Sequence, residues 1–153
     1  MKTLIQSLVV AVPVALLVAC GNPIDEFVGL YDETGTYTVT LNTPNGPATE
    51  TQQGTSSVTV MEGARSDLII RTGECSIPFD VDDFESASVV VGSTCTQTSS
   101  NGAVTTFTFN SGAIQRGTKF SNVTLNAGMS MVLNGATYSG TYSMNATWIK
   151  ASK

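Results

Sequence analysis

The sequence predicts an all-β fold, a single antiparallel meander closed into a β-barrel, and three observations carry that expectation. Thr and Ser number 22 and 16 of 153 residues, while charged residues make up only 12%. Such side chains favour a pleated strand, and Lys, Glu and Arg, which favour helix, are scarce. Apolar and polar residues also alternate with a period of two along much of the chain, as strands with one buried face require. Finally, turn-forming pairs at Asn101-Gly102 and Asn134-Gly135 divide the alternating stretches into hairpins. The length suits one domain with its own core. A meander must hide its two edges, and closure into a barrel removes them. A two-sheet β-sandwich shares the same alternation and is the alternative.

The elements follow in order. Asn22-Pro23-Ile24-Asp25-Glu26-Phe27-Val28 offers an N-cap residue, Pro at the first helical position and acids in the first turn. It predicts one short helical turn ending at Gly29. From Gly35 onward Tyr37, Val39 and Leu41 share one face and Thr36, Thr38 and Thr40 the other. Residues 42–54 are polar and turn-rich and read as a loop or ragged edge. Further strands are expected at 57–61, 67–72, 76–81, 87–91, 94–98, 103–110, 113–116, 120–125, 129–133 and 136–149. A type I′ turn at Asn134-Gly135 pairs Leu133 with Ala136, Met131 with Tyr138 and Met129 with Gly140. All six then fall on one face, which continues through Tyr142, Met144, Ala146 and Trp148. Asn101-Gly102 leaves two registers open: a two-residue loop sets Thr96 opposite Phe107, and a three-residue loop sets Cys95 there.

The start of the chain reads differently. Met1-Lys2 precedes a mostly apolar run, Leu4 to Ala19, that is short for a membrane span and interrupted by Gln6, Ser7 and Pro13, which fits a cleaved signal. It ends in Leu17-Val18-Ala19-Cys20, which resembles the lipobox of bacterial lipoproteins. The resemblance implies that residues 1–19 are removed and that Cys20 carries the lipid; each buried methylene adds roughly 0.8 kcal/mol of membrane affinity. An Asp after that Cys retains enteric lipoproteins in the inner membrane. Gly21 stands here, so the outer membrane is implied. Residues 20–30 would be lipidated Cys and tether, and 31–153 the barrel domain. An ordinary secretory signal cut near Ala19 is the alternative; Leu17 fits it poorly, and the odd cysteine is then unexplained.

Without Lys2 the balance is 6 basic to 12 acidic residues. That argues against nucleic acid, which a basic patch must neutralise, and leaves membrane attachment to the anchor. With Cys20 acylated, Cys75 and Cys95 are left as a pair in an oxidising compartment, and a disulfide between them is expected. Metal binding would call for more soft ligands, and the chain has no His.

The sequence offers no catalytic motif: Ser-x-x-Lys and Gly-x-Ser-x-Gly do not occur. Asp80, Asp82, Asp83 and Glu85 could hold Ca²⁺, but Glu85 occupies the EF-hand glycine position, and a solvated turn is the simpler reading. Phe27-x-Gly29-x-Tyr31, with Lys150 after the last strand, resembles the opening segment and closing basic residue of lipocalins. That resemblance covers about five positions, with Tyr and Lys standing where Trp and Arg are usual, and it implies a barrel with an apolar guest. Met129, Met131, Tyr138, Tyr142, Met144 and Trp148 are the expected lining, with Gly128 and Gly140 leaving room. No cofactor or metal is expected. The expectation is a non-enzymatic envelope lipoprotein holding a fatty acid or similar amphiphile. The alternative is a filled core whose Thr/Ser-rich outer face meets protein or polysaccharide.

Overall fold

A computed structural model describes residues 21–151, which form one short helix and nine strands. Helix α1 (Pro23–Phe27) starts as its sequence requires, with Asn22 Oδ1 accepting the Ile24 N–H at 3.2 Å. The strands are β1 (Gly29–Thr43), β2 (Gly46–Glu62), β3 (Leu68–Thr72), β4 (Cys75–Val81), β5 (Ser86–Val89), β6 (Thr94–Thr98), β7 (Val104–Arg116), β8 (Ser121–Leu133) and β9 (Ala136–Lys150). All belong to one antiparallel sheet, so the two-sheet alternative is not adopted.

β5 and β6 behave as one interrupted strand. Both lie along β7, opposite residues 113–115 and 104–108, and Gly92 and Ser93 exchange backbone hydrogen bonds with Phe109 across the break. Counted together they complete an up-and-down ring of eight in which β9 returns to β1. The meander thus closes its own ends, which leaves few unpaired edges.

The ring has two unlike rims. At one, α1 acts as a plug: Phe27 is buried, the Tyr31 hydroxyl donates to its carbonyl at 2.7 Å, and Arg116 pairs with Glu26 at 2.8 Å over the Phe27 ring. At the other rim the wall has a gap. β3 pairs only with residues 59–62 of β2, so residues 46–58 keep one free edge. Across from it, the β4–β5 ladder ends at Phe79–Val89, and the expected Cys75–Cys95 disulfide ties β4 to β6 there, with Cα atoms 5.5 Å apart.

Both hairpin expectations are resolved by register. Asn134 and Gly135 have φ of 51° and 78°, and Leu133–Ala136, Met131–Tyr138 and Met129–Gly140 pair as the type I′ turn demands. At Asn101-Gly102 the longer loop is used, setting Cys95 opposite Phe107, with Gly102 supplying the positive φ of 82°.

Several boundaries differ from expectation. Residues 42–54 take the edge alternative and not the loop, because β1 and β2 continue through them on either side of Pro44-Asn45 with one side of β2 unpaired. They lie beyond the closed wall and are largely exposed, so no apolar period marks them. Pro47 is tolerated because that stretch is an edge. The strands expected at 103–110 and 113–116 merge across a bulge between Phe109 and Ser111, and those at 120–125 and 129–133 merge into β8. The folded body includes α1 and begins before Tyr31, because Phe27 belongs to the core. The leader and Cys20 lie outside the described residues.

Candidate functional site

Register fixes which side chains face inward. On β1 these are Tyr31, Glu33, Gly35 and Tyr37; opposite Glu33, Gly35 and Tyr37 on β9 stand Trp148, Ala146 and Met144. Above the plug, Val60, Leu68, Ala87 and Ile114 pack into the core. Beyond that layer a partly open cavity of about 130 Å³ remains. Val58, Ile70, Ile77, Phe79 and Phe109 form its apolar walls, and Tyr37, Phe107, Tyr142 and Met144 line it as well. Thr72 and Gln97 add polar atoms.

Glu33 is the unusual lining residue, a carboxylate only 4% exposed. Its Oε1 accepts hydrogen bonds from the Tyr37 hydroxyl at 2.8 Å and the Ser56 hydroxyl at 2.7 Å. Its Oε2 accepts one, from Trp148 Nε1–H at 2.6 Å. Among the described residues the one ion pair is Arg116–Glu26, so no cation offsets Glu33. A buried carboxylate is tolerated when its oxygens are hydrogen-bonded in this way.

Two glycines lie beside the network. Gly35 and Gly54 face each other across β1 and β2, between Glu33 and Tyr37. A β-carbon on Gly54 would touch the Tyr37 ring at 3.4 Å, and one on Gly35 would stand 2.7 Å from Ala146 Cβ. The missing β-carbon at Gly35 thus lets β1 approach β9 closely, while Gly54 lies beside the Tyr37 ring. Burial, followed by the hydrogen bond to and charge of Glu33, pushes the Tyr37 phenol up to about 12. Burial also raises Tyr142, with the Glu33 charge the next cause.

Of the six residues expected to line the interior, Tyr142, Met144 and Trp148 line the cavity. Met129 is buried elsewhere, its Cε lying 3.2 Å from where a Gly140 β-carbon would be. Met131 and Tyr138 are half-buried further along the β8–β9 hairpin and do not line the cavity. Neither Gly140 nor Gly128 lines the cavity: a β-carbon at Gly140 would meet the β1 backbone at Thr40, and Gly128, on the opposite face of β8 from Met129, has open space with only Asn110 near it. Glu33, Tyr37 and Phe107 were not singled out from sequence. Carrying the period of two back from Tyr37 through Glu33 to Tyr31 is the signal that finds the carboxylate.

The acidic segment is a hydrogen-bonded turn. Asp83 Oδ1 accepts the backbone N–H groups of Glu85 and Ser86, both at 2.7 Å, and Ser88 donates to Asp82 at 2.6 Å. Those backbone donors, Glu85 first, hold the Asp83 carboxyl below its ordinary value. No group of three metal-ligating side chains occurs among the described residues.

The residues carrying the lipocalin resemblance meet at the plugged rim. Tyr31 is in register with Lys150, whose Nζ lies 5.9 Å from the ring centre, and a β-carbon on Gly29 would collide with the Lys150 stem at 2.7 Å. No protein-family model, curated protein or solved structure matches the chain.

Proposed function

We propose that this chain is a lipid-anchored binding protein of the bacterial outer membrane, held by acylated Cys20, that receives a small molecule inside its ring. The observation that carries this reading is the cavity, apolar-walled with a single placed carboxylate, the pattern of a ligand site. Its volume of about 130 Å³ is below the roughly 300 Å³ of a drug-sized pocket. The guest is therefore a small molecule, or one end of a larger one, rather than a whole fatty acid.

The anchor reading rests on Leu17-Val18-Ala19-Cys20. Only Gly21 and Asn22 separate Cys20 from α1, and each residue spans at most about 3.6 Å. Acylation would hold the plugged rim at the bilayer, with the gapped rim facing away. Leu30, Phe84, Phe120 and Ile149, each about half exposed, lie at the plugged rim.

Trp148 is the only Trp and lines the cavity. Titration of the mature protein with small apolar and amphiphilic molecules, followed by its fluorescence, is expected to give a saturable change with one-to-one stoichiometry. A panel that leaves Trp148 unchanged would refute the binding role.

A second reading, contact with protein or polysaccharide, is favoured by one feature. Thr36, Thr38, Thr124, Asn126, Ser143 and Asn145 line a shallow polar groove on the outer wall.

A further inference from the structure

We infer that the cavity takes a quaternary ammonium group, seated against the Glu33 carboxylate and the aromatic rings around it. The inference rests on the interior-binding reading and names the chemistry of the guest.

The first argument is charge. Glu33 brings a carboxylate into a wall of mostly apolar side chains, and neither Lys nor Arg lines the cavity. Its three donors are the neutral Tyr37, Ser56 and Trp148, so they orient the group without cancelling a charge. A cationic guest supplies the missing counter-charge to a carboxylate that is almost fully buried.

The second argument is which cation. A hard metal ion wants several oxygen ligands, and Glu33 is the only carboxylate in the lining. A guanidinium prefers two parallel bonds to a carboxylate, but Oε1 already accepts two donors and Oε2 one. A primary ammonium brings three N–H donors, which an apolar wall leaves unmet. A quaternary ammonium has no donors and a greasy surface. It needs negative charge and aromatic faces.

The third argument is the lining. Tyr37, Phe107, Tyr142 and Trp148 all contribute rings, and Phe107 and Tyr142 meet edge to face with centroids 5.3 Å apart. The available 130 Å³ suits a group the size of trimethylammonium more than a long chain.

The test compares choline with dimethylbutanol, its neutral carbon isostere, by Trp148 fluorescence and calorimetry on the mature protein. Choline is expected to bind one-to-one and about tenfold tighter than the isostere, a ratio within the range of desolvated cation–aromatic contacts. Glu33→Gln, shown folded by its thermal transition, is expected to remove that preference. If dimethylbutanol binds as well as choline, the cation inference fails and the apolar-guest reading stands. If neither ligand binds nor any neutral amphiphile shifts Trp148, both fail. A preference for choline that survives in Glu33→Gln removes Glu33 from the account. Should that variant not fold, the wild-type comparison of choline with its isostere decides alone.

Discussion

Burial first, and the nearby Glu33 second, raise both Tyr37 and Tyr142, and the consequence is a defined dependence on pH. A phenol whose folded value is raised binds its proton more tightly in the folded protein. Its contribution to stability is complete below the ordinary value of 10 and is lost as pH rises through the folded value, about 12 for Tyr37. Tyr142 is raised in the same direction, and burial raises Tyr31 as well. The thermal midpoint is therefore expected to fall between pH 10 and 12, in step with the appearance of tyrosinate absorbance. Complete ionisation of all tyrosines in the folded protein by pH 10 would contradict the buried network. Glu33 itself was hidden from sequence reading because an acid at an inward position looks like a break in the pattern. Three donors drawn from three different strands make that position tolerable.

The disulfide is the element on which the gapped rim depends. β6 has β7 on one side, and on the other side Cys75–Cys95 spans the place where a β4 ladder would run. The cross-link closes a span of 20 residues, worth about 3 kcal/mol by chain entropy. Cys75→Ser with Cys95→Ser is expected to lower stability by about that amount, measured by denaturant unfolding. It should also increase hydrogen exchange in β6 more than in β8. Equal exchange in the two strands would mean that β6 is held by β7 alone. The cysteines were legible as a pair from their even number after Cys20. Their location at the seam was not: separate strands were expected at 87–91 and 94–98, but that both lie along β7 is decided by tertiary pairing.

For the whole molecule, the proposed acylation of Cys20, two residues before α1, would turn an anchor into an orientation. Acylated protein in vesicles containing brominated lipid is expected to show strong quenching of a tryptophan placed by Phe120→Trp at the plugged rim. A tryptophan placed by Val132→Trp near the other rim should be spared, both measured in a Trp148→Phe background. Lipid on Cys20 by intact mass, with Phe120→Trp unquenched, would refute the orientation while leaving the anchor intact. Absence of lipid would refute the anchor itself.

Sequence alone determined what depends on neighbours along the chain. Alternation from Ala136 to Trp148 gave that strand its inner face, Asn134-Gly135 gave its register, and Asn22-Pro23 gave the start of α1, because each is a local steric or hydrogen-bonding requirement. Only the tertiary structure decided what depends on closure. The length of β2 through residues 46–58 is set by pairing with β1 rather than by its own apolar pattern. Met131 and Tyr138 share the face of Trp148 yet do not line the cavity, because one face of a long strand passes from the core to beyond the closed wall. The cavity depends on Glu33, Tyr37 and Phe107 arriving from strands far apart in sequence. That meeting is a property of the ring, and no local signal carries it.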